Sequence, residues 1–95
     1  METSLINAET DVLLTVANKK SEERKFNEAI EIYKTVISKN DKSFDTYSRL
    51  GAIYERIRDV INAKEVYKKA LTKAKELHEK AWEREFSYIL LGLVD

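Results

Sequence analysis

Few side chains in this 95-residue sequence combine the type and spacing that chemistry requires. Carboxylates occur in pairs at Glu22-Glu23 and at Glu83 with Glu85, and a carboxylate pair can divide the general acid and general base roles. Both pairs lie in charge-rich helical stretches, where carboxylates ordinarily face water. His78, the only histidine, sits in KELHEKAW at the expected turn after a fourth helix. With no second histidine beside it, it reads as a surface or capping residue rather than a metal ligand. The sequence has no Cys, hence no thiolate, disulfide or sulfur-ligated metal. It also lacks a Gly-rich phosphate loop, a G-x-S-x-G elbow and a His-x-x-x-His pair. It therefore reads as a non-enzyme with no catalytic residue, no metal site and no cofactor.

What remains is surface. Lys plus Arg and Asp plus Glu number 17 each, so the net charge is zero and the basic excess of a nucleic-acid binder is missing. The basic-looking run KKALTKAK (68–75) is flanked by Glu65, Glu76 and Glu79 and reads as a solvated helix face. At 43% hydrophobic and 36% charged residues, the chain is too apolar for disorder and too punctuated by charge to span a membrane. The first 20 residues lack the basic start and apolar run of a signal peptide, so a cytoplasmic location is expected. Zero Pro and two Gly leave little material for tight β-turns, which excludes hairpin-built sheets and predicts an all-α domain.

The elements that must position this surface repeat. Residues 10–43 set above 44–77, without a gap, place Leu13 over Tyr47, Val16 over Leu50, Ala17 over Gly51, Phe26 over Val60, Ala29 over Ala63, Tyr33 over Tyr67 and Val36 over Ala70. Apolar residues recur at three- and four-residue steps within each half. The polar runs SEERK and KNDKS break the pattern, and a weaker break falls at Arg58-Asp59. Helices are predicted over 5–22, 26–39, 43–57 and 60–77, with Asp41 and Ser43 as N-cap candidates for the third. The small residues Ala17, Gly51, Ala29 and Ala63 predict close helix approach.

YSRLGAIYERIRDVINAKEVYKKAL resembles a tetratricopeptide repeat, through Tyr47, Leu50-Gly51, Tyr54, Ala63, Tyr67 and Ala70. KFNEAIEIYKTVI is similar to the second helix of another. The first repeat departs from the pattern in its opening helix, and the usual Pro after the second helix is replaced by Asp41 and Lys75. SYILLGLVD again resembles an opening helix, with Tyr88 and Leu91-Gly92 in the places of Tyr47 and Leu50-Gly51 after an extended fourth helix. The resemblance implies antiparallel helix pairs stacked as a short right-handed solenoid of five helices. Its units would be repeat one over 10–43, repeat two over 44–77 and a C-terminal helix over 80–95.

The resemblance also implies a concave groove, lined by the first helix of each pair, that binds a peptide or a partner helix. Here the lining would comprise Asp11, Leu14, Asn18, Ser21 and Glu22, then Asp45, Ser48, Ala52, Glu55 and Arg56. The two-carboxylate clamp by which some family members grip heat-shock chaperones is absent. Asn18 matches its first Asn, but Leu14, Arg49, Phe86 and Leu90 replace the other four residues.

With Tyr88, Leu91 and Gly92 packed inward, Phe86, Ile89, Leu90 and Leu93 would form a second apolar face that needs a cover. The next helix of a longer array, a second copy in a homodimer, or a partner's helix would supply one. Alternatively, the helix folds back as a cap with Trp82 and Phe86 turned inward. The sequence thus predicts a non-catalytic protein-interaction module, with structural self-association as the alternative.

Overall fold

The structure, a computed structural model, describes residues 2–93, with side chains from residue 8 onward. Among these residues the chain forms α1 (Glu2–Glu22), α2 (Phe26–Lys39), α3 (Phe44–Arg56), α4 (Val60–Glu76) and α5 (Lys80–Gly92), with no strand. The first four match the helices that the apolar spacing predicts, apart from a longer start to α1. Each helix packs on its chain neighbours, so the chain zigzags between two layers, α1, α3 and α5 in one and α2 and α4 in the other. The result is a slab of 41 × 34 × 16 Å.

Small residues set the helix spacing, as their alignment predicts. Ala17, Ala29 and Ala63 are fully buried, and Gly51 is buried where α3 meets the Tyr67 ring of α4. Tyr33, Val36, Tyr47, Leu50, Tyr54 and Tyr67 fill the space around them. Val16 departs from the alignment and is 41% exposed, whereas Leu50 is 2% exposed. Leu50 lies on a helix with α2 beside it, and no described helix precedes α1 to cover Val16.

Three of the four turns share one geometry. Arg24, Arg58 and His78 have φ of 62°, 64° and 56°, the left-handed conformation that usually falls to Gly at a helix end. In each turn the amide of the next residue reaches back five positions: Lys25 to the Lys20 carbonyl (2.8 Å), Asp59 to Tyr54 (2.8 Å) and Glu79 to Ala74 (2.9 Å). These bonds satisfy carbonyls that the helix end would otherwise leave unpaired. Asp59 then caps α4, its carboxylate accepting from the Asn62 amide at 3.2 Å. The α2–α3 turn is different. Ser43 stands at the N-cap of α3 as predicted, but its hydroxyl bonds the Thr46 hydroxyl (2.6 Å) instead of a backbone amide. Asp41 caps nothing: its carbonyl accepts from the Tyr47 hydroxyl (3.1 Å) and its carboxylate pairs with Lys73 (3.0 Å), tying α3 and α4 to this turn.

A non-Gly residue in the left-handed conformation costs about 1–2 kcal/mol, part of which Gly gives back through its more mobile unfolded chain. Arg58 is exposed, so Arg58→Gly is expected to stabilise the chain by about 0.5–1 kcal/mol. Thermal unfolding followed by circular dichroism would show a rise of about 3–6 °C, and β-branched Arg58→Val would show a fall.

The last helix overturns an expectation. α4 runs three residues longer than α2, ends at Glu76 and turns at His78, and α5 begins at Lys80; what changes is the face that α5 buries. Phe86 is fully buried, and Trp82, Ile89, Leu90 and Leu93 pack against the core, while Tyr88 and Leu91 are 80% and 84% exposed. The side chains expected inside are outside and the reverse. Trp82, Phe86, Ile89, Leu90 and Leu93 recur at four-, three-, one- and three-residue steps and form one continuous stripe. Two of them are large aromatics that each bury about 150–250 Å², whereas the motif match at Tyr88, Leu91 and Gly92 offers only two side chains. Trp82 stacks on Phe44 (5.7 Å between centroids) and on Phe86 (5.5 Å), and Phe86 meets Tyr67 at 6.1 Å. These contacts lock α5 to α3 and α4. Residues 94 and 95 of the expected helix lie outside the described residues.

Candidate partner-binding groove

The α1–α3–α5 layer carries the side chains named from the sequence, in three different settings. On α1, Asp11 is exposed, Leu14 is half-buried against the core, and Asn18 accepts a hydrogen bond from the Tyr33 hydroxyl. On α3, Ser48 is half-buried and Ala52 exposed, while Glu55 accepts from the Tyr67 hydroxyl at 2.6 Å. Arg56 does not join them. Its guanidinium lies 5.7 Å from the centre of the Phe26 ring, at the start of α2, where Arg24 approaches the same ring at 5.7 Å. Phe86, Ile89, Leu90 and Leu93, expected to form an interface, are turned into the chain's own core.

Two features escape the sequence. First, Tyr33 and Tyr67 are read from spacing as core residues, and their rings are 1% and 2% exposed, yet their hydroxyls extend to the open layer and hold its polar side chains. Beside Tyr33 stands Arg49, whose Nε donates to Asp45 at 2.9 Å. Asn18, Tyr33, Arg49 and Asp45 thus form a polar strip across α1, α2 and α3. The 34-residue spacing of the two tyrosines is visible in the sequence, but the acceptor each finds is not. Second, Trp82, Ala81 and Glu85 of α5 form a shallow notch with Ser48 of α3.

Burial pushes the Tyr67 phenol well above its ordinary value, and the hydrogen bond and negative charge of Glu55 push it further. Burial raises Tyr33 too, opposed by Arg49, and raises Tyr47, aided by Asp41. Arg49 is raised mainly by its hydrogen bond to Asp45. For a phenol whose folded value lies above the unfolded one, the stabilisation is complete below the unfolded value of about 10 and disappears as pH climbs through the folded value. Stability is therefore expected to be insensitive to these three groups from pH 6 to 9 and to fall steeply above about pH 10. Tyr67→Phe should cost about 0.5–1.5 kcal/mol at neutral pH. It should also flatten the loss between pH 8 and pH 11.5, as urea unfolding at each pH would show.

Among the described residues no group of three or more His, Asp or Glu side chains is arranged to hold a metal ion, and no helix is long and apolar enough to cross a membrane. The fold itself has a solved counterpart. The chain superposes on the solution NMR structure of a tetratricopeptide repeat domain protein from Salinibacter ruber with a TM-score of 0.78, at 18% sequence identity, covering 86% of this chain and 83% of that one. The fold is tetratricopeptide-repeat-like. No protein-family model matches the sequence, and neither does any curated protein. The likeness extends over an all-helical architecture of five helices, each packed on its chain neighbours.

Proposed function

We propose that this chain is a non-catalytic protein-interaction module that takes an extended peptide or partner helix along the α1–α3–α5 layer. Its units would be the repeats 10–43 and 44–77, with the helix from residue 80 closing the stack. The observation that carries this reading is the pair of bonds from buried tyrosines to open-layer side chains, Tyr33 to Asn18 and Tyr67 to Glu55. Such bonds fix the rotamers of groove residues before a ligand arrives, which removes part of the ordering entropy that binding would otherwise cost. The Asn18 amide donors, the Ser48 hydroxyl and the second Glu55 oxygen are then available to a peptide main chain. Leu14 places an aliphatic surface where a carboxylate clamp would need a cation. A ligand recognised by main-chain hydrogen bonds and one apolar side chain therefore fits better than a carboxylate terminus.

Self-association through Phe86, Ile89, Leu90 and Leu93 is disfavoured, because these side chains already pack against the chain's own core. The test is selection of random dodecapeptides against the wild-type chain, followed by titration of the selected peptides. Ala52→Arg, a substitution at an exposed helical position, is expected to weaken them by about tenfold or more, and the exposed α4 variant Lys75→Ala to leave them unchanged. Peptides that bind Ala52→Arg and wild type equally would refute the groove reading.

A further inference from the structure

The opposite layer holds a second surface that the groove does not use. Between α2 and α4 lies a crevice of about 280 Å³ lined by Lys34, Ile37, Tyr47, Leu50, Val66 and Lys69. Its floor is apolar: Tyr47 and Leu50 are almost wholly buried, and Ile37 and Val66 are half-buried against the core. Its rim is cationic. Lys20, Lys25, Lys39, Lys73 and Lys80 each stand within 4.0 Å of a carboxylate. Lys34 and Lys69 have no such partner among the described residues, and both are exposed. At about 280 Å³ it falls just under the roughly 300–1,000 Å³ of small-molecule cavities and has room for one bulky side chain.

We propose that the α2–α4 crevice is a second docking site, for an acidic segment of another protein. One leucine or phenylalanine of that segment seats on Ile37, Leu50 and Val66, while flanking carboxylates meet Lys34 and Lys69. Charge complementarity selects this occupant. The chain is neutral overall, yet Lys34 and Lys69 at the mouth of this apolar recess have no carboxylate within 4.0 Å among the described residues. A basic or neutral segment would gain the apolar contact but leave the ammonium groups unpaired or repelled. Although α3 supplies the floor of this site, none of its lining residues is one of the groove residues named above, and it does not depend on the groove reading.

The experiment is an amide-resolved NMR titration of the full chain with three hexapeptides: Asp-Glu-Phe-Leu-Asp-Glu, its lysine counterpart Lys-Lys-Phe-Leu-Lys-Lys, and Asp-Glu-Ala-Ala-Asp-Glu. The first is expected to shift amides of residues 34–38 and 66–69, and to bind at least tenfold more tightly than either of the others. Its binding should weaken at least tenfold in the double variant Lys34→Glu, Lys69→Glu and several-fold when salt rises from about 50 to 300 mM. Ala52→Arg should leave it unchanged. Shifts confined to α1 and α3, equal binding of the acidic and basic peptides, or no binding at millimolar concentration would overturn the proposal. So would shifts at 34–38 and 66–69 that grow with protein concentration alone, since a second copy of the chain would then fill the crevice.

Discussion

Replacing Phe86 with alanine is expected to lower stability by about 3–5 kcal/mol, the cost of emptying a well-packed aromatic site. Phe86 is fully buried and touches the Phe44, Tyr67 and Trp82 rings, with centroids 6.4, 6.1 and 5.5 Å away. A domain of this size holds about 5–15 kcal/mol in all, so the variant should be near the edge of folding, with Tm reduced by about 15 °C or more. Tyr88→Ala and Leu91→Ala remove side chains that are 80% and 84% exposed and should each stay within about 0.5 kcal/mol of wild type. Urea unfolding followed by Trp82 emission reads the result at the site itself, because Trp82 is the only tryptophan and stacks on Phe86. A larger loss from Tyr88→Ala than from Phe86→Ala would mean that the orientation of α5 described above is wrong.

The same substitution at the two glycines is expected to give opposite signs. A Cβ on Gly51 would lie 2.4 Å from Cε1 and Cζ of Tyr67, a ring that is 2% exposed and has little room to withdraw. Gly→Ala in a helix interior gains about 1 kcal/mol of propensity, but forced overpacking costs about 1–3 kcal/mol. Displacing the ring would also break the bond from Tyr67 to Glu55. Gly51→Ala is therefore expected to destabilise by about 1–2 kcal/mol, and Gly51→Val by more. A Cβ on Gly92 meets nothing within 4 Å, so Gly92→Ala should be neutral or mildly stabilising. Tyr67→Leu in the Gly51→Ala background should recover part of the loss, as a double-mutant cycle would show. If Gly51→Ala stabilises as Gly92→Ala does, the close approach of α3 to α4 is not what holds Gly at this position.

The residues that made the fold legible are those whose role survives any detail of packing. Ala17, Ala29, Gly51 and Ala63 fall at matched positions because two helices approach closely only where side chains are small, and that requirement can be read from spacing. The turns at Arg24, Arg58 and His78 were harder to see. Left-handed positions are normally marked by Gly, and here two arginines and a histidine adopt them, so the Arg58-Asp59 break shows in the sequence only as two charges. Helical geometry alone puts Asn18, Ser48, Ala52 and Glu55 off the core-facing positions of α1 and α3. It does not show that the Phe26 ring lies within reach of Arg56.

α5 marks the boundary between the two sources of information most clearly. Its sequence carries two apolar stripes, one matching a repeat motif at Tyr88, Leu91 and Gly92, the other running through Trp82, Phe86, Ile89, Leu90 and Leu93. A helix has no preferred face until a neighbouring surface offers contacts, and that surface was Phe44 with Tyr67. The larger stripe buried more area against it and turned the motif outward. By itself the sequence determined the helical class, the order and extent of the first four helices and the points of close approach, all of which follow from local periodicity and side-chain size. Only the tertiary structure decided which stripe of α5 is core, which acceptors the buried tyrosine hydroxyls find, and where unpaired lysines border an apolar crevice. Each of those depends on side chains far apart in the chain meeting at distances that no spacing rule specifies.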